Sequence, residues 1–97
     1  MWQVKIHHLV VKEDFSRIDK HDQRVILKTI YKKLTIDPLN YGEPLRYELK
    51  GFFKLKISFY RVVYRVEKDK VLVFVLKVGL RRDEGVYKEM LNRLGKL

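Results

Sequence analysis

The sequence predicts an α+β fold in a single domain that spans residues 1–97. Apolar residues recur at helical spacing in the first third of the chain, and three segments in the second half read as strands. A chain of this length can bury roughly 60 to 65% of its unfolded surface, which is enough for one modest core. The predicted order β-α-α-β-β-β-α corresponds to an antiparallel four-stranded sheet with an N-terminal helical hairpin and a short C-terminal helix.

The N-terminal third contains the first strand and the helices. Residues 3–11 alternate loosely and are rich in β-branched side chains, which predicts a short strand. Over residues 12–34, apolar side chains recur three and four positions apart, as on one face of a helix. A polar break at residues 19–22 favours two helices over one, with Asp22 as a candidate N-cap of the second. Two prolines and a glycine in residues 35–45 then predict a connecting loop.

The second half of the chain contains the remaining strands. Residues 53–58 and 60–67 alternate apolar and polar side chains, whereas residues 71–79 are apolar on both sides, as in a strand covered on both faces. The charged residues 67–70 predict a hairpin turn between the last two strands. Residues 85–97 place Val86, Met90, Leu91 and Leu94 on one side, which predicts a short amphipathic helix.

Composition limits the classes of function. Lys and Arg number 22 against 12 Asp and Glu, so the formal net charge is +10. Such an excess attracts polyanions, with nucleic acid as the leading partner and an acidic protein or a membrane surface as competitors. The chain has no cysteine, which excludes thiol catalysis, disulfides and cysteine-ligated metals. Because no leader and no apolar run of about 18 residues occurs, we expect a cytoplasmic protein that does not enter membranes.

Cations converge on one face of the predicted hairpin. A tight turn at residues 58–59 would place Lys56 opposite Arg61 and Lys54 opposite Val63, with all four side chains on one face. Opposed like charges destabilise a sheet by about 0.2 to 1 kcal/mol. A phosphate bound across that face would convert this repulsion into attraction.

The motifs F-K-L-K, Y-R-V-V-Y, V-L-V-F-V-L-K-V-G-L-R-R and V-Y, in this order, resemble the RelE/ParE superfamily of toxins from toxin–antitoxin systems. The resemblance covers most of the chain, with the sharpest motifs between Leu49 and Tyr87, and it is closest to the RelE branch. It implies a RelE-like fold and the toxin of a type II toxin–antitoxin system. The activity implied is that of an mRNA interferase, which cleaves messenger RNA in the ribosomal A site through attack of a ribose 2′-hydroxyl on the adjacent phosphate.

The resemblance also implies residue roles. Tyr87 would act as general base, the strand cations would stabilise charge on the phosphate, and Arg81 would neutralise the leaving 5′-oxygen. Either Arg81 or its neighbour Arg82 could reach the phosphate. The implied catalytic set is Lys54, Lys56, Arg61, Arg81 and Tyr87. The implied substrate-binding set is Arg65, Lys77 and Arg82, with no metal and no cofactor.

The family implies a RelB-like antitoxin as a separate chain, and the ribosome, with its ribosomal RNA and A-site messenger RNA, as the other partner. Operator DNA would be contacted only through the antitoxin complex. Two alternatives remain: a ParE-like, non-catalytic inhibitor of DNA gyrase, and a non-catalytic RNA- or ribosome-binding module. His7 and His8 are adjacent on the predicted first strand and would face opposite sides, which disfavours a histidine acid–base pair.

Overall fold

The computed structural model describes residues 1–80 and 85–97. The described strands form one five-stranded sheet in the order β1-β5-β4-β3-β2, in which β1 and β5 are parallel and every other pair is antiparallel. The strands are β1 (Gln3–Ile6), β2 (Glu43–Pro44), β3 (Phe52–Ile57), β4 (Tyr60–Glu67) and β5 (Leu72–Leu80). The α-helices are α1 (Lys20–Leu34), α2 (Pro38–Tyr41) and α3 (Gly85–Arg93).

The α+β class is confirmed, but the prediction of four strands is wrong. The additional strand β2 lies within the segment predicted to be a loop and pairs with β3, with Glu43 opposite Lys54 and Pro44 opposite Phe53. A strand of this length shows no alternation in sequence. Its proline also fits a strand at the edge of a sheet, where no backbone donor is required on the outer side.

The predicted helical hairpin is also wrong. Its first half is a π-helical segment, Val10–Asp14, followed by a 3₁₀ turn, Phe15–Arg17, so only α1 is a full helix. The N-cap of α1 is Asp19, whose carboxylate accepts a hydrogen bond from the backbone N–H of Asp22 at 2.8 Å. The capping chemistry predicted for Asp22 therefore occurs three residues earlier, and Asp22 lies in the first helical turn.

The sheet has two differently covered faces. On the α1 face, α1 packs over β3, β4 and β5 around buried residues that include Ile26, Ile30, Val62, Tyr64, Val73 and Val75. On the opposite face, here called the α3 face, α3 packs with the β2–β3 loop around Leu49, Val63, Leu76, Val86 and Met90. Residues of β5 are thus buried on both sides, as its continuous apolar run predicts.

Helix α3 packs closely on the end of β5. A Cβ atom added at Gly79 would lie 2.9 Å from Cγ2 of Val86, so a glycine is required for this approach. The predicted C-terminal helix is therefore confirmed, although it ends at Arg93 and a 3₁₀ turn, Leu94–Lys96, follows. Within the described ranges, no helix is both long enough and apolar enough to cross a membrane.

Candidate functional site

The β3–β4 hairpin has the register that the sequence predicts. Ile57 pairs with Tyr60, so the connection is a two-residue turn, and the next pair is Lys56 with Arg61. Lys54 pairs with Val63, a residue buried on the α3 face. Because side chains alternate along a strand, Lys54, Lys56 and Arg61 all project from the α3 face. Three cations on two adjacent strands therefore share the sheet face on which the helix that carries Tyr87 packs.

Arg61 and Tyr87 are in direct contact. The guanidinium carbon of Arg61 lies 5.1 Å from the centre of the Tyr87 ring, which is within the range of a cation–π interaction. Tyr87 lies in the first turn of α3, and its neighbour Val86 packs on Gly79. Gly79 pairs with Arg61 across the sheet. The packing of Val86 on Gly79 therefore brings the next residue, Tyr87, close to Arg61.

The Tyr87 hydroxyl is buried without a hydrogen-bond partner among residues 1–80 and 85–97. A buried polar atom left in this state costs about 1 to 3 kcal/mol. Unpaired groups of this kind in a folded protein call for an explanation, and a role toward a ligand is one of them. The hydroxyl of the ring that contacts Arg61 therefore has hydrogen-bonding capacity that the described residues leave unused.

Two tyrosines of β4, Tyr60 and Tyr64, have surroundings that differ from those of Tyr87 in α3. The Tyr60 hydroxyl donates to Asp22 at 2.6 Å, and this bond, helped by burial, raises the pKa of Tyr60 to about 12. Burial raises the pKa of Tyr64 further, and its hydroxyl donates to the carbonyl of Pro38 on the α1 face. Both phenols are held neutral and are committed to protein partners, so neither is suited to accept a proton from a substrate.

The Lys77 side chain is buried in ion pairs. Its side chain is 4% exposed, and its ammonium lies 2.8 Å from Asp14 and 2.6 Å from Glu89. Both contacts are ion pairs that join β5 to the helical elements around it. The Lys77 ammonium therefore stabilises the packing of these elements and is not exposed on the surface.

Arg65 lies toward the opposite end of β4 from the Arg61–Tyr87 contact. The two arginines are four residues apart, or about 13 Å along a strand. Its guanidinium stacks over Phe74 at 5.3 Å and contacts Glu67 at 3.2 Å, while nearly half of the side chain remains exposed. Arg65 could therefore contact a flanking part of an extended substrate. The predicted site residues Arg81 and Arg82 lie outside the described residues.

The sequence interpretation missed a buried ion network that supports α3. Asp14 accepts hydrogen bonds from Lys77, from Arg93 and from the backbone N–H of Val78, at 2.8 to 2.9 Å. Arg93 also donates to the carbonyl of Leu76, so α3 is tied to β5 as well as to the π-helical segment. A single lysine within an apolar strand was the available signal, because a buried charge requires a counter-charge nearby.

The expectation about the two histidines is wrong. Strand β1 ends at Ile6, and the rings of His7 and His8 stack at 4.4 Å instead of pointing to opposite faces. His7 accepts a hydrogen bond from the backbone N–H of Leu9, and burial, with help from His8 and Arg93, lowers the pKa of His7. No group of three metal-binding side chains forms among the residues that the structure describes.

Comparison with known proteins gives a family and a set of relatives. Residues 5–85 match the model for the ParE toxin of the type II toxin–antitoxin system parDE. The chain is 29% identical to the toxin RelG of Mycobacterium tuberculosis over 72 residues, which are 74% of this chain and 83% of RelG. It is 49% identical to the mRNA interferase toxin RelE of Escherichia coli over 41 residues, less than half of each protein.

A solved structure shares the fold. In the toxin–antitoxin complex RelBE2 from Mycobacterium tuberculosis, one chain superimposes with a TM-score of 0.77 at 27% identity. The superposition covers 84% of this chain and 93% of that one.

Proposed function

We propose that this chain, which belongs to the ParE toxin family within the RelE/ParE superfamily of type II toxin–antitoxin systems, is a ribosome-dependent endoribonuclease that cleaves messenger RNA in the A site. The observation that carries this proposal is the contact between Arg61 and Tyr87 beside Lys54 and Lys56. In this proposal, Tyr87 is the proton-accepting group and the three cations bind the same phosphodiester. The 49% sequence identity over 41 residues with a protein named mRNA interferase toxin RelE supports the same activity.

The proposed reaction is an internal transfer within the RNA. The ribose 2′-oxygen attacks the adjacent phosphorus, the bond from phosphorus to the 5′-oxygen breaks, and a cyclic phosphate and a 5′-hydroxyl result. Tyr87, acting as the phenolate, accepts the 2′-hydroxyl proton and becomes the neutral phenol, and the leaving 5′-oxygen takes a proton from water. A positioned general base contributes about 10² to 10⁴ in rate.

The strand cations act on the phosphate. Arg61 offers a planar guanidinium that suits two phosphoryl oxygens, and Lys54 and Lys56 add point charges on the neighbouring strand. Fixed charges aimed at a developing negative charge need no reorganisation during the reaction, so they lower its barrier. In this proposal Arg81 neutralises the leaving oxygen, with Arg82 as the alternative for that role. Arg65 contacts the RNA beyond the scissile phosphate, and the buried Lys77 is assigned to the support of α3.

The proposed partners are a RelB-like antitoxin and the ribosome. Similarity to the toxin–antitoxin complex from Mycobacterium tuberculosis supports an antitoxin on a separate chain. The net charge of +10 favours an acidic partner and ribosomal RNA alike. The protein would act in the cytoplasm and contact operator DNA only through the antitoxin complex.

A second candidate is a ParE-like, non-catalytic inhibitor of DNA gyrase. The name of the matching family model favours it. A gyrase inhibitor would not depend on a proton-accepting phenol. The two candidates therefore predict different effects of removing the hydroxyl oxygen of Tyr87. A non-catalytic RNA- or ribosome-binding module would likewise arrest translation without creating new RNA ends.

The test is to map messenger RNA 5′ ends in a translating extract with the wild type and with Tyr87→Phe. We expect new ends with the wild type and a loss of roughly 10² to 10⁴ in cleavage rate with the variant, because only the proton-accepting oxygen is removed. Tyr31→Phe is the matched control, since Tyr31 lies on α1, the helix that covers the opposite face of the sheet. Arrest by both proteins without new ends, or inhibition of gyrase supercoiling by both, would overturn the nuclease assignment.

A further inference from the structure

The loop between β2 and β3 holds an aromatic residue in a costly conformation. Tyr47 has a φ of +56° and is 87% exposed. A left-handed backbone costs a residue with a Cβ atom roughly 1 to 2 kcal/mol, and an exposed ring gains little from burial. Strain of this kind persists only where the surrounding structure imposes it, and it concentrates at functional sites.

The loop is anchored on both sides of Tyr47. The backbone N–H of Leu45 donates to the carbonyl of Phe52 at 2.9 Å, and that of Lys50 donates to the carbonyl of Tyr47 at 3.0 Å. Leu49 is buried in the cluster under α3. These contacts fix the position of the ring's backbone while leaving the ring itself in solvent. Glycine would meet the backbone requirement without strain, so the side chain at this position is what requires an explanation.

Tyr47 shares a cleft with the proposed general base. The cleft has a volume of about 210 Å³, with the β2–β3 loop as one wall and α3 as the other. Tyr87 and Leu91 line the α3 wall, and Leu45, Arg46, Glu48 and Leu49 accompany Tyr47 on the loop wall. The ring of Tyr87 contacts Arg61, so the cleft adjoins the cations to which the proposal assigns the scissile phosphate.

The composition of the cleft suits a nucleobase better than a second phosphate. Its lining is largely apolar and aromatic, and the Glu48 carboxylate offsets the charge of Arg46, so the cleft has no net charge to attract a second anion. Proteins recognise single-stranded RNA by stacking splayed bases on aromatic rings, with cations along the backbone. Arg46, exposed beside Tyr47, is placed to interact with that backbone.

We propose that Tyr47 is a stacking platform for an unpaired RNA base that flanks the phosphate bound at Lys54, Lys56 and Arg61. This inference rests on the proposed function for the identity of the ligand as RNA. It adds a binding subsite in the cleft between the β2–β3 loop and α3. Because every base has an aromatic face, the subsite would add affinity with little sequence preference.

The experiment measures binding of a short single-stranded RNA that contains 2-aminopurine and 2′-O-methyl riboses, which prevent cleavage. The isolated wild-type protein should bind this RNA and quench the 2-aminopurine fluorescence through stacking. Tyr47→Leu should weaken binding by roughly 5- to 100-fold and abolish quenching, because one stacked base is lost. Tyr47→Phe and Tyr47→Trp should bind as the wild type does, since each keeps an aromatic face.

Two further variants separate stacking from folding and from general loss of aromatic surface. Tyr47→Gly removes the ring and relieves the strained backbone, so its thermal midpoint should stay at or above that of Tyr47→Leu while RNA binding stays weak. Tyr31→Leu removes another partly exposed tyrosine, on α1, and should bind RNA as the wild type does.

The inference is overturned if Tyr47→Leu binds the RNA as tightly as the wild type, or if the wild type does not bind it at all. It is also overturned if the variant loses affinity for the antitoxin while RNA binding is unchanged, because the ring would then serve a protein interface. Its failure is distinguishable from that of the proposed function. If quenching depends on Tyr47 but no cleavage occurs in the extract, only the nuclease assignment is wrong. If cleavage occurs but Tyr47→Leu binds RNA as the wild type does, only the stacking role of Tyr47 is wrong.

Discussion

The α1 face and the α3 face of the same sheet are built on different principles. On the α1 face, Ile30 and Val62 are fully buried, and the Tyr64 hydroxyl is hydrogen-bonded to the carbonyl of Pro38. On the α3 face, Lys56 lies opposite Arg61, and Tyr87 buries a hydroxyl that has no partner in the described ranges. The first arrangement maximises stability, whereas the second retains interactions that a bound anion would improve.

The two faces also hold their helices differently. Helix α1 is held by apolar packing and by the hydrogen bond from Tyr60 to Asp22, and its N-terminus is capped by Asp19. Helix α3 combines apolar packing with the buried ion network of Asp14, Lys77 and Arg93. Such a network depends on every member, because a partner left alone is an uncompensated buried charge. The helix that carries Tyr87 should therefore be sensitive to single substitutions far from the proposed chemistry.

The largest expected effect comes from Asp14→Asn. Among the described residues, Asp14 is the only buried counter-ion of Lys77 and Arg93, since Glu89 and Glu13 are half exposed. Removing its charge should therefore lower the free energy of unfolding by about 3 to 5 kcal/mol. Because the network ties α3 to the sheet, cleavage should fall as well. Urea unfolding and the extract assay measure the two effects. Glu13→Gln is the control, since this half-exposed partner of Arg93 should contribute less than about 1 kcal/mol; similar losses in both variants would contradict the role of the network.

Ile30→Ala sharpens the comparison from the α1 face. The substitution leaves a cavity under α1 and should lower the free energy of unfolding by about 2 to 5 kcal/mol. Cleavage per folded molecule should stay at the wild-type level, because the α3 face keeps all of its groups. Activity measured at a temperature where both proteins are folded checks this expectation. A proportional loss of activity would show that the two faces are coupled.

Tyr60→Phe tests the contact between β4 and the first turn of α1. The loss of its hydrogen bond to Asp22 should cost about 1 kcal/mol at neutral pH. That bond raises the pKa of Tyr60 to about 12, so the folded protein holds this proton more tightly than the unfolded chain does. The stabilisation is complete below about pH 10, the pKa of an unperturbed phenol, and is lost as the pH rises toward 12.

Unfolding of wild type and Tyr60→Phe between pH 8 and pH 12 checks the sign of this dependence. The difference in free energy of unfolding should shrink as the pH rises. Titration of the remaining groups affects both proteins alike and cancels in the difference. A difference that grew with pH would show that the Tyr60 hydroxyl is not held neutral by Asp22.

The smallest expected change has the opposite sign. Lys56→Gln removes one of two opposed like charges on the α3 face and should raise the free energy of unfolding by about 0.2 to 1 kcal/mol. Cleavage should fall at the same time, because a charge on the phosphate is lost. Unfolding and 5′-end mapping on the same preparation measure both. A Lys56→Gln variant that is less stable than the wild type and equally active would contradict the proposed difference between the two faces.

The local sequence pattern was sufficient to predict much of this fold. The hairpin register of Lys56 with Arg61 follows from alternation and a short turn, because both act between residues that are close in the chain. The same applies to α3 and to the apolar run of β5. The chain lacks such a local signal for β2, which is too short to alternate, and for the segment before α1, where the helical spacing of apolar residues continues through π-helical and 3₁₀ geometry.

Long-range pairing decided the rest. Lys77 reads as one more strand cation, yet Asp14, 63 positions away, takes it into a buried ion pair. Tyr47 reads as an ordinary loop residue, and its strain and exposure become visible only in the folded backbone. Sequence by itself determined which side chains share a strand face, since that depends on a two-residue period. Only the tertiary structure decided which cations stay open to solvent and which are neutralised, since a counter-charge can come from any part of the chain that the fold brings near.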